Sequence, residues 1–235
     1  CYHLTRPGTG APRHVFASTQ AVLLAHACDQ VSIHTPIIVR LGWCERITLA
    51  TLDPAAGYRA ALVEHLPNAT LVVDHFHAIK LANAAIDDIR RRVQQEQLGH
   101  RGRKGDPLYR ARRVFLTGID RLSDERIGWM FDMLAAGDPY GEVGTAIMAK
   151  ELLREVYTAR DLAHARRRLV VFFQHCADAD VPELARLART IDRWRDEVLA
   201  YHTTGGSSNG RVENVHMLAE KIRQDPATAD VPVIL

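Results

Sequence analysis

The sequence lacks the marks of a secreted, membrane-spanning or metal-stapled protein. Only four of its 235 residues are cysteine. Cys1, Cys28, Cys44 and Cys176 are scattered and form no CxxC pair, which excludes a disulfide framework and a zinc ribbon. They read as reduced thiols of a cytosolic protein. No apolar run approaches the roughly 18 residues that a membrane span requires. The stretch Ala21 to Ala25, downstream of Arg13, is too brief for the apolar core of a signal peptide. There is no excess of one charge either: 30 Lys and Arg stand against 28 Asp and Glu, a net +2. Any polyanionic partner must therefore be met by a local patch rather than by the whole surface. No internal repeat is visible. What is present is 47% hydrophobic residues, enough for one large core or two small ones. The first residue is Cys rather than Met, so the sequence reads as an excerpt of a longer product.

Three zones follow one another. Residues 1–40 keep neither a helical nor a strand period for long, and Pro7, Gly8, Gly10 and Pro12 punctuate their start. Val31 to Val39 reads as a strand interrupted by Pro36. Residues 46–77 are the most strand-like. Ile47 to Leu52 is a β-compatible apolar run ending on Asp53-Pro54. Gly57 to Leu66 reads as a short helix, and Ala69 to Val73 as a second strand ending on Asp74. Strand, helix and strand with continuous apolar runs predict a βαβ unit in a sheet covered on both faces. From His77 onward the chain reads as helical. Ile79, Ala82, Ala85, Ile86, Ile89 and Val93 keep amphipathic spacing, and Ser123 is an N-cap type residue. Helices are expected over about 142–157, 162–176 and 182–201. A Gly/Ser loop spans 203–210, and Val212 to Ile222 is again helical in period.

Four features could carry chemistry. Asp53 directly follows a buried-type strand, where α/β proteins place their sites. It suits a rigidly held metal ligand, while a turn or N-cap Asp is the alternative reading. Asp74 and His77 are close enough in sequence to reach one point, either as a site or as a structural hydrogen-bonded pair. No Cys or His pair nearby would complete a zinc site. Glu213 lies in the first turn of the helix after the Gly/Ser loop, a place that also simply suits the helix dipole. Finally, Arg90, Arg91, Arg92, Arg101, Arg103, Lys104, Arg110, Arg112 and Arg113 share their stretch with only two acids, Glu96 and Asp106. Such a patch binds phosphate backbones without reading sequence, or else it is a solvated helical face.

Taken in order, these motifs resemble one family. Ala50 to Pro54 with Gly57-Tyr58, and Val73-Asp74-His75-Phe76-His77 through Leu81, look like the core of ISL3-type insertion-sequence transposases. So do Arg90 to Glu96, Gly99 to Lys104, Asp106 to Tyr109, and Ser208-Asn209-Gly210 through Glu213 to Arg223. Each motif alone is common, but the ordered set is specific. It covers residues 44–223, leaving 1–43 unassigned, with a non-native origin as one reading, and 224–235 as an irregular tail.

The resemblance implies an α/β, partly ribonuclease H-like fold, predominantly α because of a large helical insertion over about 82–205. It implies a DDE transposase catalysing two-metal phosphodiester cleavage and strand transfer with Mg²⁺ or Mn²⁺. By motif position Asp53 is the second Asp and Glu213 the final Glu, both metal ligands. Asp74 and His77 match an accessory D-x-x-H signature, and an alternative alignment makes Asp74 itself the second Asp. The basic segment would line the DNA path. DNA transposition implies transposon ends with inverted repeats as partner, a homodimer as an assembly to test, and a bacterial, cytoplasmic, nucleoid-associated setting.

The chain departs from the pattern in ways that bear on activity. The first Asp belongs on the first strand, yet residues 1–52 hold only Asp29, in surroundings unlike the expected motif. His216 replaces the Asn expected three residues after the Glu, and Gln224-Asp225-Pro226 replaces the expected segment after Arg223. The upstream zinc-binding and helix-turn-helix region of family members does not occur in this sequence. The expectation is therefore a transposase fragment that is inactive as it stands. A non-catalytic DNA-binding helical remnant is the alternative, and an inert remnant is a third reading.

Overall fold

The computed structural model describes residues 13–17 and 47–206. The expected strand at Val31–Val39, the helix carrying Glu213 and the tail at 224–235 lie outside the described residues. The chain divides into two compact units, one of residues 1–77 with 196–235 and the other of residues 78–195.

The first unit is built on a parallel three-stranded sheet in the order β1-β2-β3. β1 is Arg13–Ala17, β2 Ile47–Leu52 and β3 Thr70–Val73. β1 is a strand that the sequence reading missed, in a zone without clear periodicity. The middle strand is buried at every position except Thr48, as expected of a parallel strand covered on both faces. Between β2 and β3 runs α1, Ala56–His65. Leu66, just past its end, joins Ile47 and Ala50 in a small core, with Leu62, Ala69 and Leu71 packed against it. The βαβ expectation holds to within a residue or so at each boundary. After the second unit the chain returns to this one through most of α8, Arg195–Leu199, and a 3₁₀ turn at Ala200–His202 that packs on β3. Arg59 on α1 pairs with the buried Glu197 on α8 at 2.7 Å, and His75 meets Tyr201 edge to face.

The second unit is wholly helical among its described residues. α2 runs from His75 to Leu98, two residues earlier than its expected start, and Ala78 onward belongs to this unit. Its apolar face (Ala82, Ile86, Ile89 and Val93) is fully buried. Gly99 ends the helix at φ +71°, a left-handed conformation open to glycine. α3 is Pro107–Leu116, α4 Asp124–Gly137, α5 Glu142–Tyr157, α6 Leu162–Asp178 and α7 Pro182–Arg193. Proline opens α3 and α7 at a position with no hydrogen-bonding obligation. Ser123 caps α4, as its sequence suggests, and Asp161 caps α6. The stretch expected as one helix over 182–201 is instead broken near Trp194. α3 packs on α4, α5 on α6 and α6 on α7, around Phe115, Leu153, Phe172, Leu184 and Ile191.

A buried lysine and a partly buried arginine brace this unit. Lys150 is inaccessible to solvent, and its Nζ donates to the carbonyls of Phe115 and Thr117 at 2.8 and 2.5 Å. It thereby satisfies acceptors that the end of α3 leaves open. Burial pulls its pKa down, opposed by Glu151 at 3.0 Å. Arg92 on α2 holds Glu183, in the first turn of α7, through Nε and Nη2 at 2.9 and 3.2 Å. The same guanidinium reaches Glu142, in the first turn of α5, at 3.1 and 3.2 Å. This planar fork ties three helices at one point.

Candidate functional site

Asp53 stands immediately beyond β2, the central strand, where Pro54 prevents the ladder from continuing. Its side chain is 41% exposed, and His77 Nε2 lies 2.6 Å from Oδ1. Asp74 stands at the same end of the neighbouring strand, but its side chain is wholly buried. Asp74 Oδ1 accepts the backbone N–H of His77 at 3.1 Å and lies 3.4 Å from its Nδ1. The parallel register Leu52↔Val73 makes the two carboxylates neighbours across the strand ends, and the first turn of α2 brings His77 back between them. Burial of His77 opposes its charged form. The hydrogen bonds and charges of Asp53 and Asp74 outweigh that effect and raise its pKa from 6.5 to about 9. At neutral pH an imidazolium thus bridges one buried and one open carboxylate.

The sequence reading grouped Asp74 with His77 and treated Asp53 separately, so the direct pairing of His77 with Asp53 was missed. Its signal was available, since both residues follow adjacent strands at the carboxyl edge. Chemically the trio offers one accessible oxygen donor, Asp53, held from behind by a positioned cation. Among the described residues no group of three His, Cys, Asp or Glu is arranged to hold a metal ion. The described residues alone therefore supply one ligand for a hard cation and not a set. Glu213 lies outside the described residues.

The basic segment divides into two populations. Arg90 is 3% exposed and bonds Asp87 Oδ1 through Nε and Nη2, and Gln94 Oε1 through Nη1. Arg92 is occupied by Glu142 and Glu183, which lie far away in sequence and could not be paired with it by inspection. Both are therefore committed within the helical unit. For Arg90 the helical period gave warning, because it sits on the face of Ile86, Ile89 and Val93. Arg91, Arg101, Arg103, Lys104, Arg110 and Arg113 are exposed. Arg112 is partly buried and stacks on the Tyr109 ring, 4.1 Å from its centroid.

A family model described as a transposase, of the ISL3 type with a DDE domain, matches residues 35–225. The chain belongs to the ISL3-type DDE transposase family. No curated protein and no solved structure gives a significant match. The match begins at residue 35, upstream of the Cys44 start read from the motifs, and it spans Asp53, Asp74, His77, the basic segment and Glu213. An ISL3-type transposase acts on DNA, and the basic segment of this one belongs to its helical unit. No helix among the described residues is long and apolar enough to cross a membrane.

Proposed function

We propose that this chain is the catalytic region of an insertion-sequence transposase that is dormant as it stands. Asp53 is its second Asp, Glu213 its Glu, and the slot of the first Asp is empty of acid. The observation that carries the reading is the contrast between the two strand-end carboxylates. A ligand for Mg²⁺ must present oxygen to an open site. Asp53 does so at 41% exposure, whereas Asp74 is fully buried against His77. This favours Asp53 over the alternative alignment through Asp74, and it gives the D-x-x-H pair a positioning role. Asp74 fixes the imidazole, and the imidazole fixes Asp53.

The proposed frame is ribonuclease H-like. Three parallel strands in the order β1-β2-β3 suit the arrangement in which the first Asp strand lies beside the second. β1 reads Arg-His-Val-Phe-Ala and carries no carboxylate. When bound, divalent ions in such a site supply a polarised nucleophile and stabilise the leaving oxygen of a phosphodiester. The residues of this chain would contribute Asp53 and Glu213 as ligands, and the exposed cations of the helical unit to hold DNA. The acid-free β1 also supports the second reading, a DNA-binding remnant without chemistry.

Strand nicking of supercoiled plasmid in Mg²⁺ or Mn²⁺ tests the proposal, with the chain beside Asp53→Asn and Glu213→Gln. DNA retention at low salt with no nicking by any version is the expected result. Nicking that both substitutions abolish would show a complete metal site and overturn the dormancy. Nicking that neither affects would overturn the assignment of the two residues.

A further inference from the structure

Between the C-terminal half of α2 and α3 lies a cleft of about 320 Å³, lined by Arg90, Arg91, Arg101, Arg112, Arg113 and Tyr109. Its one acid is Asp87, and that carboxylate is already taken by Arg90 at 3.0 Å, with Arg91 at 3.6 Å. Among the described residues no carboxylate lies within ion-pair distance of Arg101, Arg112 or Arg113. Three guanidiniums thus converge on a concave surface without internal compensation. Elsewhere in the helical unit, buried or partly buried cations such as Arg92, Lys150 and Arg154 all have acid partners.

The cleft is also ordered in advance. Arg112 lies over the Tyr109 ring, and its Nη1 donates to the Tyr109 carbonyl at 2.7 Å. That uses one of the five N–H donors of a guanidinium and leaves the others for a ligand. The buried Arg90 stands 6.0 Å from the same ring, and its position is fixed by Asp87 and Gln94. A side chain immobilised beforehand loses less entropy on binding.

We propose that this cleft seats one backbone phosphate of a DNA strand, with Arg101, Arg112 and Arg113 as its donors. Forked guanidiniums match phosphate oxygens in geometry as well as charge. Arg103, Lys104 and Arg110 are exposed on the same connection and helix that supply these donors. Positive charge there exceeds what a single anion would need, which points to a polymeric phosphate. The inference rests on the reading above that this chain handles DNA, and it adds the place where the strand is held.

Fluorescence anisotropy of a short labelled duplex, titrated with salt, tests it on the full chain. Arg101→Gln/Arg112→Gln/Arg113→Gln is expected to weaken binding about tenfold or more, as loss of charge-assisted hydrogen bonds should. The slope of log K against log salt should shrink by about 0.9, one phosphate's worth. A control with equal charge loss on exposed α6 and α7 positions, Arg166→Gln/Arg167→Gln/Arg186→Gln, should shift neither by a comparable amount. If the triple variant melts early, Arg101→Gln/Arg113→Gln leaves the Arg112–Tyr109 stack intact and must still show the loss. Equal effects in cleft and control variants would overturn the cleft while leaving DNA binding standing. Failure of the unaltered chain to bind at low salt would overturn the DNA reading itself.

Discussion

His77 concentrates the physical chemistry of the strand-end site in one ring. Its folded pKa of about 9 lies above its ordinary 6.5, so the fold binds a proton that the unfolded chain releases within that interval. The stabilisation is fully present below pH 6.5 and is lost as pH rises toward about 9. Because Asp53 is partly solvated, the contribution is discounted to about 2 kcal/mol. Urea unfolding of the chain and of His77→Gln checks this. The variant should be less stable by about that amount near pH 6, and the gap should close near pH 9.5. A gap that widens with pH would mean that the imidazole is held neutral. This site was half legible in the sequence. Both aspartates and the histidine could be named, because strand-end carboxylates announce themselves by position. What could not be read was which carboxylate is open, since that depends on burial created by the rest of the fold.

At the scale of elements, helices were the easiest part to read and ion pairs the hardest. α5 was expected over Glu142 to Tyr157 and has those bounds. Apolar periodicity and capping chemistry are local properties. β1 escaped notice because a short strand in a poorly patterned zone is defined by its partner β2 rather than by its own residues. The Arg92 fork was invisible for a related reason: its partners are 50 and 91 residues away. Its energetic role can be measured. Arg92→Ala leaves Glu183, only 8% exposed, as a nearly buried charge without its main partner. Removing one member of such a pair should cost about 3 kcal/mol, more than loss of a surface bridge. Arg91→Ala is the comparison on the same helix, because Arg91 is 45% exposed with contacts to Asp87 and Asp88 at 3.6 Å only. It should change stability by less than about 1 kcal/mol. Equal losses in the two variants would argue that the fork is solvated in solution.

Across the whole molecule, a net charge of +2 conceals a strongly uneven distribution. Nine cations gather between residues 90 and 113, and the structure withdraws Arg90 and Arg92 from that number by burial or pairing. Of the remaining seven, Arg91, Arg101, Arg112 and Arg113 line the cleft, and Arg103, Lys104 and Arg110 lie exposed on the same connection and helix, all suited to phosphates. Phosphate contacts fix position and register but carry no base identity. Reading bases would require a helix or strand set into a groove with side chains on base edges. The described cations instead line the cleft between α2 and α3 or lie on α3 and the connection before it, so no single helix face presents them all to a groove. The chain should therefore hold DNA without sequence preference. In competition binding, duplexes of equal length but unrelated sequence should displace a labelled probe within about threefold of one another. A specific reader would separate them by about a thousandfold or more. Both affinities should fall together as salt rises, because each is set by counterion release. A preference of about tenfold or more for one duplex would mean that residues beyond this cationic surface contact base edges, and that charge alone does not explain how this chain meets its substrate.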